Sequence, residues 1–182
     1  MSRLESLLDE LRSYEPADDA EAHNVESVVS LLTRSAHPFS RGQFDPGHVT
    51  ASCYIVDPDG RLLLHHHRRL ERWLQMGGHV EADEITSAAA LREGREESGL
   101  PDLMLDGAIL DVDVHAIPES KGDPRHHHFD VRYIAHTAAP HSVTMDDEES
   151  NDLAWFTLER AEELMNAPES SRVIRKLGAL RG

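Results

Sequence analysis

The chain has a single cysteine and no long apolar run, and acidic residues outnumber its basic ones. Cys53 is the only cysteine among 182 residues, so an intrachain disulfide is excluded and nothing indicates an oxidising compartment. No stretch approaches the roughly 18 apolar residues that a membrane-spanning helix needs. Residues 1–15 lack the apolar run of a secretory signal. We therefore expect a cytoplasmic protein that does not cross a membrane.

The charge balance limits the classes of partner. The formal net charge is −16, with 39% hydrophobic and 29% charged residues, which is typical of a globular protein. A surface this acidic argues against general binding to nucleic acid or to an anionic membrane. An anionic substrate would need a local cation to approach such a protein.

The pattern of apolar residues divides the chain into two parts. Residues 2–14 and 19–35 place leucines and valines at helical spacing, and the Pro- and Gly-rich segment 35–48 has no periodicity. We predict an N-terminal helical extension with its connector at 1–45 and a main domain at 46–182. The extension is expected to serve as a packing element or to support a homodimer.

The main domain alternates strand and helix signals irregularly, which favours a mixed sheet flanked by helices over a doubly wound parallel sheet. Strands are predicted at 49–56, 62–67, 107–116, 127–136 and 152–157, and helices at about 86–98, 158–166 and 169–180.

Three glutamates lie close together on the helix predicted before Gly99. Glu93, Glu96 and Glu97 share one helical face, where like charges repel. A hard divalent cation would turn this repulsion into binding, and an all-oxygen ligand set favours Mg²⁺ or Mn²⁺ over zinc. The alternative is a solvated acidic helix face. A slim helix and the glycines at 77 and 78, whose backbone can approach an ion, favour the cation.

The stretch 78–100 resembles the Nudix box, a motif of glycine, glutamate and arginine at fixed spacing. The matching positions are Gly78, Glu84, Arg92, Glu93, Glu96, Glu97, Gly99 and Leu100. One position departs from the motif, because Gly94 stands where the family has an apolar residue. The resemblance implies an α/β/α sandwich around a mixed sheet. The remainder of the chain is compatible with that fold.

The resemblance also implies an activity. Nudix proteins mostly hydrolyse a diphosphate bond in a nucleoside diphosphate linked to another group, with one or more divalent ions. By position, the metal ligands would be the carboxylates of Glu93, Glu96 and Glu97 and the carbonyl of Gly78. Arg92 and Glu84 would orient these ligands. For the general base, Glu93 and Glu149 are both candidates, and Glu148 and Asp152 compete with Glu149.

Several histidines are candidate substrate contacts. Strand alternation places His126, His128 and Arg132 on one face, too polar for a core, so we expect them to line a substrate pocket. His79 follows the glycine pair and is expected to touch phosphate. Zinc binding by His126 and His128 is disfavoured, since no cysteine accompanies them and the glutamates already explain a metal.

Two other functions stay open at this point. A nucleotide-binding sensor or regulator with the same fold would bind its ligand without hydrolysis. The retained glutamates argue against such a loss of chemistry. An acidic interaction domain would bind divalent ions weakly. The sequence does not identify the substrate.

Overall fold

The computed structural model describes residues 2–120, 122–145, 148 and 150–180. The helices are α1 (Arg3–Ser13), α2 (Asp19–Arg34), α3 (Thr86–Ser98), α4 (Leu158–Met165) and α5 (Pro168–Ala179), with a 3₁₀ turn at Pro140–Ser142. The strands are β1 (Gly47–Val56), β2 (Leu62–His67), β3 (Arg72–Leu74), β4 (Met76–His79), β5 (Met104–Ile117), β6 (His126–His136) and β7 (Ser150–Phe156). None of the described helices has the length and hydropathy to span a membrane.

Within the described residues, seven strands form one mixed sheet. Five of them lie in the order β3-β2-β1-β6-β5, and β4 and β7 are paired to β1 and β2 off this path. Strand β1 pairs with β6 in parallel and with β2 and β4 antiparallel, and β7 pairs with β2. The pairing with β2 uses the end of β1 at Ile55 and Val56, and the pairing with β4 uses Thr50 to Cys53. Strand β1 therefore lies at the centre and fixes the position of β4.

Helices cover both faces of the sheet, which confirms the predicted α/β/α sandwich. Alternate residues of β1 belong to different core clusters, as the pleat requires. Cys53 and Ile55 pack with the apolar residues of α1, α2 and α3, whereas Tyr54 and Val56 pack with those of α4 and α5. We call these the α3 face and the α5 face.

The predicted elements are all present, with ends displaced by a few residues. The sequence patterns missed β3 and β4, which are three and four residues long, because so short a segment carries little periodicity. Residues 76–79, to which the sequence patterns assigned no helix or strand, form β4 because they pair with the centre of β1.

The N-terminal helices pack on the main domain. Buried leucines of both helices, including Leu7, Leu11 and Leu31, belong to the same hydrophobic cluster as Ala51 and Val131 of the sheet. Their apolar faces are thus covered by the chain itself. The structure shows the packing role of the extension, and the homodimer stays a prediction.

A buried ion-pair network fastens the extension to the domain. Glu21 of α2 is 0% exposed and pairs with Lys176 of α5. The Lys176 ammonium also donates to Asp111 of β5 at 2.9 Å and to the Tyr14 hydroxyl at 2.8 Å. Arg172 donates to both oxygens of Asp111, at 2.7 and 2.9 Å. Three elements far apart in sequence therefore share one set of charges.

The same network continues across the sheet through Arg132 of β6. Its guanidinium donates to Asp130, Asp113 and Asp111 at 2.9, 3.0 and 3.3 Å. Burial alone would raise the pKa of Asp113, but Arg132 and a hydrogen bond from His115 outweigh it and hold the pKa at about 2. Asp113 is therefore ionised at neutral pH and helps to balance the buried charge of Arg132.

We predict that Glu21→Gln lowers the free energy of unfolding by about 2–4 kcal/mol. The amide keeps the shape but removes the charge that faces Lys176, and its NH₂ group meets the Ala17 N–H that Glu21 now accepts. Urea unfolding followed by circular dichroism measures the change.

The matched control is Glu163→Gln, which removes an exposed ion pair to Arg160 on α4. This variant should show no resolvable change. Equal stability of the two variants would mean that the buried network does not hold the extension in place.

Candidate active site

Helix α3 is placed by contacts at both of its ends. It begins after Ile85 without a side-chain cap, and the Thr86 hydroxyl instead bonds the Tyr133 hydroxyl of β6 at 2.7 Å. It ends at Gly99, whose φ of 66° is left-handed and suits glycine, as the sequence predicted. The Thr144 N–H donates to the Ser98 carbonyl at 2.8 Å and fixes the last turn.

The packing around Gly94 explains why this position departs from the Nudix box. A Cβ on Gly94 would lie 2.6 Å from the Cys53 Sγ and 3.3 Å from a methyl group of Leu103. The space that an apolar side chain would fill is therefore already occupied by Cys53 and Leu103. The helix approaches β1 closely for this reason.

The glycines of β4 bring the backbone to the glutamates. The Gly77 N–H donates to the Glu97 carboxylate at 2.9 Å, and Glu97 is 3% exposed. A Cβ on Gly78 would lie 2.5 Å from Glu93 Oε1. A side chain at position 78 would displace the Glu93 carboxylate, so the glycine lets the Gly78 backbone and that carboxylate share one small space.

Arg92 organises the other carboxylates. It pairs with Glu84, Glu93 and Glu96 at 3.1, 2.9 and 3.0 Å and donates to the His79 carbonyl at 2.9 Å. These bonds, chiefly that to Glu84, raise the pKa of Arg92 above its usual value. The structure thus brings together Arg92 and Glu84, as the sequence predicted, beside the strand that carries Gly78.

The donor set fits a hard divalent cation. Carboxylate oxygens of Glu93, Glu96 and Glu97 and a backbone carbonyl are the ligands that Mg²⁺ and Mn²⁺ take in proteins. Glu93 and Glu97 point to β4, while the Glu96 side chain is 58% exposed. Because Arg92 holds Glu93 and Glu96, a cation on these carboxylates would compete with the guanidinium.

A cleft of about 920 Å³ opens beside these residues. One wall is the segment 79–83 with Arg92 and Glu93, and the other comes from the start of α1 and the connector at 36–41. Arg3 closes one end, since it donates to the Glu81 carbonyl at 2.7 Å. The N-terminal extension therefore forms half of the cleft.

The histidines predicted to bind substrate lie in two places. His79 lines the cleft. Burial, with the neighbouring His48 and Arg41 side chains, lowers the pKa of His79 to about 4, so its ring is neutral at pH 7. His126 and His128 lie on the α5 face beside His48, with ring centroids 5.2 and 5.0 Å from it.

The expected contact of Arg132 with substrate is not supported. The residue is 3% exposed, and its guanidinium is engaged by Asp111, Asp113 and Asp130. Alternation correctly gave the face of β6 on which Arg132 lies. The acidic residues of β5 pair with Arg132 and α5 packs over this part of the face, so Arg132 is buried in an ion-pair network. We assign Arg132 to the core network.

Glu149, the second candidate for the general base, lies outside the described residues. The residues that flank its loop are placed: Thr144 bonds the end of α3, and the Ser150 hydroxyl lies 2.8 Å from His65 Nδ1. Of its competitors, Asp152 accepts from the Leu153 N–H at 2.8 Å. Thr144 therefore lies beside the last turn of α3, which carries Glu97.

Sequence reasoning missed Arg41, His37 and His48. Arg41 and His37 belong to the connector, whose lack of periodicity gave no structural signal, and they line the cleft. His48 falls just inside β1, and only the parallel pairing of β1 with β6 places it opposite His128. The one signal available was the alternation that gives His48 the same face as Thr50 and Ser52.

The chain matches the family model of the NUDIX domain over residues 46–177. A probable DHNTP pyrophosphohydrolase of Lactococcus lactis is 27% identical over 169 residues, covering 91% of this chain and 92% of that protein. The fold is similar to a C. elegans Ap4A hydrolase, with a TM-score of 0.60 and 23% identity over 73% of this chain and 96% of that one. It is also similar to an E. coli dihydroneopterin triphosphate pyrophosphohydrolase, with a TM-score of 0.55 and 19% identity over 70% of this chain and 92% of that one. Because the family model covers well over half of the sequence, the resemblance of the glutamate helix is confirmed: this chain belongs to the NUDIX domain family and is a hydrolase of phosphorus-containing anhydrides.

Proposed function

We propose that the enzyme uses Mg²⁺ or Mn²⁺ to hydrolyse a diphosphate bond of a nucleotide-like substrate at the glutamates of α3. The observation that carries this proposal is the meeting of α3 and β4, where Gly78 leaves room for Glu93 and the Gly77 N–H holds Glu97. These contacts present oxygen ligands at the edge of a cleft large enough for a small phosphorylated molecule.

The chain's own groups have distinct roles in this proposal. Glu93, Glu96, Glu97 and the Gly78 carbonyl would hold the ion, and Arg92 with Glu84 keeps the first two carboxylates in position. A bound divalent ion lowers the pKa of water and neutralises phosphate charge. Glu93 and Glu149 remain the two candidates for the group that takes the proton from water.

The cleft offers cations to a polyphosphate on its second wall. Arg41 is exposed on the connector and lines the cleft with His37 and His79. On a protein of net charge −16, such a local cation is what an anionic substrate requires. We propose that Arg41 binds a substrate phosphate, with His79 as a neutral hydrogen-bonding neighbour.

Dihydroneopterin triphosphate is the first substrate to test. The name of the Lactococcus lactis relative gives DHNTP as its substrate, and that alignment spans 91% of this chain. It therefore includes most of the extension that forms one wall of the cleft. Nucleoside diphosphates linked to other groups form the comparison panel, since they contain the same anhydride.

A sensor that binds without hydrolysis is the second candidate function. It is distinguished by a ligand that raises the melting temperature of the protein and is recovered intact. The retained Arg92, Glu93, Glu96 and Glu97 favour hydrolysis.

We predict that Glu97→Gln lowers kcat/KM for the cleaved substrate by at least roughly 100-fold. The glutamine keeps an oxygen for the Gly77 N–H but removes the charge offered to a cation. Phosphate release in Mg²⁺ or Mn²⁺ measures the activity, and electron paramagnetic resonance of Mn²⁺ measures ion binding.

Glu163→Gln on α4 is again the control and should retain full activity, and both variants should keep the melting temperature of the parent. Cleavage that persists in Glu97→Gln would exclude the glutamates as the site. Absence of cleavage in the parent, with a panel ligand that raises its melting temperature, would support the sensor.

We predict that Arg41→Ala raises KM about 3- to 10-fold and leaves kcat within about 2-fold, because an exposed charge contact to phosphate is lost while the metal ligands stay in place. Steady-state kinetics at two salt concentrations measure the effect, which should shrink at high salt. Arg34→Ala, an exposed arginine at the end of α2, is the control. An unchanged KM for Arg41→Ala would remove the connector from substrate binding.

A further inference from the structure

Five histidines form a strip across four adjacent strands on the α5 face of the sheet. We call them the histidine cluster: His79 of β4, His48 of β1, His126 and His128 of β6, and His115 of β5. Their neighbouring rings have centroids 5.0 to 5.6 Å apart. Gly78 and the glutamates of α3 lie on the opposite face, because the residues of β4 alternate.

His48 presents a buried nitrogen without a partner. The residue is 1% exposed, and its Nδ1 lies 3.0 Å from the Gln43 carbonyl. A carbonyl only accepts, so Nδ1 carries the hydrogen and Nε2 carries a lone pair. Within the described part of the chain, Nε2 has no hydrogen-bond partner, which is costly for a buried polar atom.

His126 is oriented in the same way. Its Nδ1 lies 2.8 Å from the Pro124 carbonyl, so its Nε2 also carries a lone pair. The Nδ1–H bond to a carbonyl is the arrangement that fixes the tautomer of metal-binding histidines. Two independent backbone carbonyls thus prepare two imidazoles to act as ligands.

His128 completes a trio with His48 and His126. One ring nitrogen of each lies within 4.8 Å of the others. Among the residues that the structure describes, no other three His, Cys, Asp or Glu side chains bring ligand atoms so close. Burial and the neighbouring imidazoles lower the pKa of His128 to about 2, and burial lowers that of His48.

Two carboxylates on the same face, Asp113 and Asp130, have other partners, so they do not add oxygen ligands to the trio. Asp113 is held by Arg132, and Asp130 accepts from Arg132 and from the Thr50 and Ser52 hydroxyls. Imidazole suits zinc and related transition ions, whereas Mg²⁺ and Mn²⁺ prefer oxygen. The trio and the glutamates of α3 therefore differ in the ion that each selects.

We propose that His48, His126 and His128 bind a divalent transition ion of the zinc class through ring nitrogens, at a site separate from the glutamates of α3. Three protein ligands leave a fourth position, which His115 or water can take. An ion here would tie the start of β1 and the connector, through the Gln43 carbonyl, to the middle of the sheet.

The test is calorimetric titration of chelator-treated protein with Zn²⁺ in excess Mg²⁺, which occupies the oxygen ligands but does not compete for imidazole. The parent should bind one Zn²⁺ per chain and gain melting temperature as Zn²⁺ is added. His48→Ala should weaken binding by more than roughly 100-fold, since it removes a ligand rather than an outer hydrogen bond.

Three further variants make the test specific. His127→Ala, on the opposite face of the same strand, should bind as the parent does, and so should Glu97→Gln. His128→Asn is the second ligand variant, to be used with a circular dichroism spectrum in case His48→Ala does not fold.

The proposal is overturned by any of three results. No Zn²⁺ binding to the parent in excess Mg²⁺ would remove the site. Binding that survives in His48→Ala and His128→Asn but is lost in Glu97→Gln would place the ion on the glutamates. A higher KM in the histidine variants, without Zn²⁺ binding to the parent, would make the trio a contact for the substrate itself. Loss of hydrolysis in Glu97→Gln with Zn²⁺ binding intact leaves both proposals standing.

Discussion

The close approach of α3 to β1 and β4 is the constraint on which the site depends. Glycine makes it possible at two positions, because a Cβ on Gly94 would meet Cys53 and one on Gly78 would meet Glu93. Propensity alone would favour alanine over glycine within a helix by about 1 kcal/mol. Gly94 is nevertheless present in α3, and the close contact places the buried Glu97 carboxylate against the Gly77 N–H.

The N-terminal extension does not take part in the contact between α3 and the sheet, but it forms a wall of the cleft beside the same glutamates. Its buried charges are shared with β5 and α5, and its leucines join the core under the sheet. A segment held this firmly can supply a wall to a binding cleft, and the connector at 36–41 does so. The family model begins at residue 46, so this wall lies outside the pattern common to the family. We expect substrate selection to depend on it.

The sequence predicted the features that depend on residues close together in the chain. It missed those that depend on which strands pair with each other. The spacing of Arg92, Glu93 and Glu97 on one helix defined the site, and Gly99 marked the end of that helix. Alternation gave the common face of His128 and Arg132 but could not distinguish them, because their different burial depends on which side chains β5 and α5 contribute. His48 entered the histidine cluster only through its parallel pairing with His128, 80 positions away.

The two faces of the sheet thus offer two kinds of ligand, oxygen beside α3 and nitrogen in the histidine cluster, separated by the backbone of β4 and β1. The most direct measurement is anomalous scattering from crystals grown with Mn²⁺ and a substrate analogue that resists hydrolysis. We expect Mn²⁺ between Glu93, Glu97 and the Gly78 carbonyl, with analogue phosphate beside it in the cleft. Mn²⁺ and phosphate found instead at His48 and His128, with none at the glutamates, would contradict this expectation.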